Sequence, residues 1–428
     1  AYHKNAALRG TFDNAVIKTD ERLNVAYMIF RGDLFTFFPS TDSNNHHWEA
    51  PPTTVNIDST SNMAATPALF GNFLQAIQTD NQPMAIQIID QIIDYQNKYS
   101  SIIPSERKQT LEIWYYRINI VKLLSLLYLL AGFAAIFFFF KALLKGKEVG
   151  AKIVQWLTIV LAVTFLIHTT GLGVRGYISG HMPWSNGYES MIYVAWTGIL
   201  AGLIFARRNI MVIGAAAILS GLTLFVAQMS WLNPEITNLV PVLKSYWLTF
   251  HVAIITASYG FVGVCALLGL FNLLMAALSN KNNAMNVQRN IKQLTYINEA
   301  AMILGLYFLT IGTFLGAVWA NESWGRYWGW DPKETWSLVT ILIYAFISHM
   351  RLIPGFRGWF AFNLAAILGL LSVLMTYLGV NYYLSGLHSY GSGNGLSFPS
   401  LMAGLFSLIG IIAYFAWQKT KSNKLNNQ

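Results

Sequence analysis

Residues 118 to 140 read INIVKLLSLLYLLAGFAAIFFFF, and this stretch decides the class of fold. It is apolar over a length sufficient to cross roughly 30 Å of hydrocarbon, and Lys122 is its one charged side chain. Windows of the same kind follow near residues 153 to 170, 188 to 206, 210 to 230, 247 to 278, 300 to 319, 333 to 350, 359 to 380 and 398 to 417. The whole chain, 428 residues, is 54% hydrophobic and 11% charged, too few charges for an ordinary soluble protein of this size. The sequence therefore predicts an all-α polytopic membrane protein with about nine transmembrane helices.

Orientation follows from the short connections between these windows. One side carries Lys141, Lys145, Lys147, Lys152, Arg207, Arg208, Lys281, Arg289, Lys292, Arg351 and Arg357, and the tail adds Lys419, Lys421 and Lys424, fourteen cations in all. The other side carries four, Arg175, Lys244, Arg326 and Lys333. The positive-inside rule then expects a multi-pass protein of the cytoplasmic (inner) membrane with a cytoplasmic C-terminus. The formal charge of +9 is dispersed between apolar runs, so the expected partner is membrane lipid and no nucleic acid.

Residues 1–117 are polar and include a helix-like pattern at 83–99, PMAIQIIDQIIDYQNKY. They read as a small extracytoplasmic N-terminal domain, ahead of a transmembrane domain at 118–420 and a cytoplasmic tail at 421–428. Export of such a domain needs a signal or span ahead of it, and the chain opens on Ala1, so upstream sequence is expected. The single cysteine, Cys265, lies in an apolar run and excludes both an internal disulfide and a cysteine zinc site. No CxxCH occurs, so the chain does not attach haem to itself through two thioethers.

Most candidate chemistry lies at residues 324–338, WGRYWGWDPKETWSL, on the outer side by the charge count. Trp324, Trp328, Trp330 and Trp336, interrupted by Gly325 and Gly329, present flat apolar faces that suit a planar hydrophobic ligand. An interfacial aromatic belt is the competing reading. Asp331, Pro332 and Glu334 form a helix-start signature of N-cap, first position and third position. Such a helix N-terminus beside Arg326 and Lys333 is also a fitting place for carboxylates such as haem propionates. A second outer loop, GHMPWSNGYES at 180–190, repeats the pattern with Asn186 and Glu189, and its His181 reads as a structural histidine.

Bis-histidine ligation of haem needs two rings from different elements. His251, near the outer end of the fifth span, and His388, in the outer loop between the last two, reach the side of the tryptophan segment. Each alone is more often simply hydrogen bonded. His349 closes the seventh span, 18 residues past Asp331, or roughly 27 Å of helix, and belongs to the opposite end. His168 reads as a packed polar residue, and His3, His46 and His47 carry no clear signal.

These residues resemble the cytochrome c synthase of System II biogenesis, the CcsA or ResC type of the tryptophan-rich haem-handling family. WGRYWGWDPKETWSL looks like its signature, PKETW separates it from the System I relatives, and GHMPWSNGYES, the His251 region and GLHSYG also resemble family segments in the expected order. The resemblance runs from about residue 112 to 417. It implies that His251 and His388 ligate the iron of an outer haem b, above an attachment site shaped by Trp324, Trp328, Trp330 and Asp331, with Arg326, Lys333 and Trp336 as further cofactor contacts. It implies an inner haem at His349, whose second ligand comes from a CcsB or ResB-like protein, separate or fused upstream. The implied activity is that of a holocytochrome c synthase of the haem lyase type, which moves haem across the membrane. It then joins haem through thioethers to the CxxCH of an exported apocytochrome c, mainly by positioning both. A haem exporter or chaperone serving a separate ligase, and a non-catalytic scaffold, are the alternatives.

Overall fold

The computed structural model describes residues 11–40, 48–50, 65–100, 103–206, 209–229, 232–237, 239, 243–280, 282–384 and 398–425. The chain forms two compact units, Ala1–Glu106 and Arg107–Gln428.

The first unit holds helix α1 (Thr11–Arg31), the antiparallel pair β1 (Phe38–Pro39) and β2 (Trp48–Glu49), and helices α2 (Ala65–Gln78) and α3 (Gln82–Tyr99). The helix expected at 83–99 is α3, and its start is written locally. Asn81 accepts the Met84 N–H at 3.2 Å, and Pro83 occupies an early position where no amide donor is needed. Phe35, Phe37, Phe38 and Phe70 pack together, with Tyr95 of α3 edge-on to Phe38.

The second unit is a helical bundle: α4 (Glu106–Ile118), α5 (Ile120–Leu144), α6 (Ala151–Ser179), α7 (Gly187–Phe205), α8 (Ile210–Ala227), α9 (Tyr246–Ala277), α10 (Ala284–Trp324), α11 (Pro332–His349), α12 (Trp359–Leu374), α13 (Val380–Tyr383) and α14 (Phe398–Leu425). Among the described residues, α5 to α12 are eight helices long and apolar enough to cross a membrane. The ninth expected window falls within the helix α14. The protein is thus an all-α polytopic membrane protein. The span expected at 300–319 is the apolar part of a 41-residue helix, about 60 Å long, whose first turns carry Arg289 and Lys292.

Buried α9 is the bundle's axis and packs against α7, α8, α10, α12 and α14. Its approach to α7 depends on Gly260, because a Cβ there would fall 2.2 Å from Thr197 Oγ1 and 2.7 Å from the Gly198 nitrogen. Close backbone contact through small residues is the usual way transmembrane helices gain packing energy, since apolar lipid supplies little hydrophobic drive. Between α12 and α13, residues Met375–Gly379 take a π-helical turn. Such turns re-aim side chains and occur often at functional sites.

Candidate functional site

A cavity of about 1570 Å³ opens among the tryptophan-bearing ends of the second unit's helices. Its lining includes His251, Thr256 and Tyr259 of α9, Trp328 from the tryptophan segment, Lys333 and Glu334 of α11, and Tyr377 and Asn381 around the π-helical turn. Loop residues His181–Gly187 and part of 232–237 complete it.

The seat of His251 is unusually specific. Its Nδ1 lies 2.7 Å from the Gly312 carbonyl of α10. A carbonyl only accepts, so Nδ1 carries the proton and the lone pair lies on Nε2. The ring rests on Gly316, where a Cβ would fall 2.6 Å from His251 Cε1. The hydrogen bond from one nitrogen and the seat against bare backbone fix the tautomer and the orientation of this ring.

The tryptophan segment is shaped by the start of α11. Asp331 accepts the Lys333 N–H at 3.0 Å, and Glu334 Oε2 accepts the amides of Asp331 at 3.2 Å and Gly329 at 2.8 Å. This is the expected capping box, extended by one more bond that folds the preceding turn back. Trp330 occupies the left-handed region at φ 56°. Trp328 lines the cavity, whereas Trp330, edge-on to Trp328, is not a lining residue and is 71% exposed. Trp324 packs edge-on against the buried Trp319, itself in the cavity wall. Trp336 is half-buried on α11, its carbonyl accepting from Thr340 and Thr376. The Arg326 guanidinium lies over Gly329, where a Cβ would meet its Nη1 at 1.1 Å. Lys333, in contrast, lines the cavity and donates from Nζ to Asn381 Oδ1 at 3.2 Å.

His251, Trp328 and Lys333 therefore share one cavity, while Trp324, Trp330, Trp336, Asp331 and Arg326 surround or support it. His388 lies outside the described residues, as do His3, His46 and His47. Among the described residues no group of three His, Cys, Asp or Glu side chains is placed to hold a metal ion. His349 is exposed at the other end of α11, sixteen residues beyond Lys333, or roughly 24 Å. Its Nδ1 lies 2.7 Å from the Ala345 carbonyl, so its lone pair also lies on Nε2. Close by, Arg351 and Glu299 form an ion pair that ties α10 to the end of α11. His168 is buried, with Nδ1 3.3 Å from the Tyr128 hydroxyl. His181 approaches two carbonyls, Met182 at 3.1 Å and Thr237 at 3.0 Å, in keeping with a structural role.

Sequence reasoning missed two features, one in the cavity wall and one behind it. Tyr377 and Asn381 reach it from the π-helical turn, which has no reliable sequence signal; the Tyr377 hydroxyl donates to the Gly187 carbonyl at 2.9 Å. The other feature is the fully buried ion pair Arg175–Glu189, 2.8 Å apart, with Arg175 0% and Glu189 1% exposed. An arginine inside an apolar helix is a signal that was available, since such residues demand a partner. Tyr115 of α4 stands beside this pair, and burial raises its phenol above the ordinary value, with Arg175 opposing that shift.

Residues 184–388 match a protein family described as "Cytochrome C assembly protein". The protein NrfI of Wolinella succinogenes is 42% identical over 395 residues, 91% of this chain but 43% of that protein, so the chain spans less than half the length of this relative. The cytochrome c biogenesis protein CcsA of Guillardia theta is 36% identical over 262 residues, 55% of this chain and 84% of that protein. CcsA of Chlamydomonas reinhardtii is 36% identical over 243 residues, 55% of this chain and 68% of that protein.

Proposed function

Because the chain belongs to the CcsA family of cytochrome c biogenesis proteins, we propose that its cavity holds haem b as a substrate and presents it for thioether attachment to the CxxCH segment of an exported apocytochrome c. The observation that carries this reading is the seat of His251, with its lone pair on Nε2, beside Trp328 and Lys333 in one cavity of about 1570 Å³. Usual small-molecule pockets measure about 300–1,000 Å³, so a large planar ligand fits with room to spare.

Each residue then has a task that follows from its chemistry. His251 supplies an axial imidazole already oriented by Gly312, and His388 is its proposed counterpart. Trp328 offers an apolar face to the porphyrin. Lys333, at the N-terminus of α11, suits a propionate. Asp331 and Glu334 act through the backbone turn that sets Trp328. When haem is bound, its vinyl groups are the electrophilic partners. Each cysteine adds sulfur to one vinyl carbon and its hydrogen to the other, so no outside oxidant or reductant is consumed. The protein's contribution is proximity and orientation, with no nucleophile of its own.

The charge asymmetry between the two ends supports a cavity on the extracytoplasmic face, with His349 on the cytoplasmic face. Haem then enters from the inside, is held at His349 with a ligand from a CcsB-like partner, and passes outward. Purified protein, haem and a CxxCH peptide, with no other protein, test the attachment directly. Thioether formation lost in His251→Ala/His388→Ala supports the reading. A double variant with normal yield refutes it, and a protein that binds haem yet forms no thioether is a haem carrier for another ligase.

A further inference from the structure

We propose that Arg175 is a positioning residue: through Glu189 and the segment Asn233–Thr237 it holds the rim of the cavity against which the cysteine-bearing segment of the exported chain docks. This deepens the reading above and rests on it, because it assigns the second substrate a place in the same cavity.

The arginine sits in the last turns of α6, in surroundings that make an unpaired charge very costly. Every arm of its guanidinium is used. Nε donates to Glu189 Oε1 at 2.8 Å, Nη1 to the Pro234 carbonyl at 3.0 Å and Nη2 to the Glu235 carbonyl at 3.1 Å. The Tyr188 ring lies beneath, 5.1 Å from the guanidinium carbon. Glu189 turns its other oxygen to the Ser185 amide at 2.8 Å and the Ser185 hydroxyl at 2.7 Å. One buried pair thereby joins three segments distant in sequence: the end of α6, the turn entering α7, and the extended residues 234–235. Buried ion pairs add little net stability against apolar replacements. A rigid fork spent on two backbone carbonyls is better explained as a device for geometry.

Two more side chains pin the same segment. The Tyr116 hydroxyl accepts the Ile236 N–H at 3.0 Å and lies 3.4 Å from the Pro234 carbonyl. His181 meets the Thr237 carbonyl at 3.0 Å. Residues 234–237 are thus each held through the backbone from another element, while Asn233, Pro234, Glu235 and Thr237 remain exposed. Asn233, Glu235 and Thr237 also line the cavity.

The lining draws on α9, α11 and the tryptophan segment, and also on the loop residues 180–187 with Leu232, Asn233, Glu235 and Thr237, which form the proposed rim. The cavity exceeds the usual small-molecule range of about 300–1,000 Å³, which leaves space beyond one planar ligand. The backbone of this edge is already bonded, so what it offers an extended peptide is the polar side chains of Asn233, Glu235 and Thr237 held in fixed places along the cavity. Holding that edge rigid in advance removes the ordering cost of docking.

The test uses the purified protein, a fluorescent peptide containing Cys-Xaa-Xaa-Cys-His, and the variants Arg175→Lys and Tyr116→Phe. Lysine keeps a charge for Glu189 but cannot reach both carbonyls, and Tyr116→Phe removes one exposed pin without touching the buried pair. Both are expected to keep the wild-type haem absorbance and the kcat at saturating peptide. Peptide Kd and KM are expected to rise about three- to tenfold in Tyr116→Phe, the scale of one hydrogen bond, and further in Arg175→Lys. Unchanged peptide affinity in both variants overturns the proposal, as does a Tyr116→Phe protein whose haem absorbance falls in step with its activity. Should Arg175→Lys fail to fold, Tyr116→Phe decides alone. If wild type binds the peptide with this pattern of variants but forms no thioether, the rim stands and the attachment reading fails; if wild type binds no peptide, the rim proposal itself fails.

Discussion

Gly316→Ala tests the seat of His251 with one added methyl group. The new Cβ would lie 2.6 Å from His251 Cε1 and 2.7 Å from Nδ1, where ordinary contact begins at 3.4 Å. The ring must therefore retreat by about 0.8 Å (3.4 − 2.6) to restore normal packing. Retreat also strains its 2.7 Å hydrogen bond to Gly312. Overpacking of this kind costs about 1–3 kcal/mol, which corresponds to roughly five- to 150-fold in a binding constant. Haem titration of the purified variant, followed by absorbance, reads the loss directly. Gly410→Ala is the control, because a Cβ there meets nothing within 4 Å. A Gly316→Ala protein with wild-type haem affinity, alongside a His251→Ala protein that has lost it, would refute the idea that this glycine seats the ligand.

Glu189→Ala strands the buried Arg175, and thermal unfolding in detergent should show a loss of about 3–5 kcal/mol. Gly260→Ala forces α9 away from Thr197 of α7 and should cost about 1–3 kcal/mol in the same assay. Asp331→Ala removes the α11 cap and should destabilise by about 0.5–2 kcal/mol, whereas Asp331→Asn keeps the cap. Normal thioether yield in Asp331→Asn would assign this residue to the turn; loss of yield with unchanged stability would give it a direct part in the chemistry. His349→Ala should reduce haem recovered with the protein in cells, yet leave attachment intact when haem is supplied from the outer side to purified protein. Equal impairment under both conditions would contradict a site confined to the inner end.

Much of this molecule is written in local sequence. The apolar windows became helices because a chain in hydrocarbon satisfies its backbone polar groups only internally. The caps at Asn186 and Asp331 were legible because an N-cap involves residues two or three apart. His251 and Trp328 were singled out by residue type and by position, His251 near one end of α9 and Trp328 in the segment ahead of α11.

What the sequence could not supply was which of these side chains face the same space. Four tryptophans looked equivalent in WGRYWGWDPKETWSL, yet Trp328 lines the cavity and Trp330, in the left-handed region, does not. Arg326 and Lys333 looked like twin cations, but Arg326 lies over Gly329 while Lys333 reaches Asn381 across the cavity. The Gly312 carbonyl that seats His251 and the Pro234 carbonyl bound by Arg175 lie 61 and 59 residues away from them. Periodicity and capping are properties of a few neighbouring residues, so the sequence alone determined the helices and their ends. A site is a property of how helices pack, and contacts between distant segments exist only once the whole bundle has closed around them.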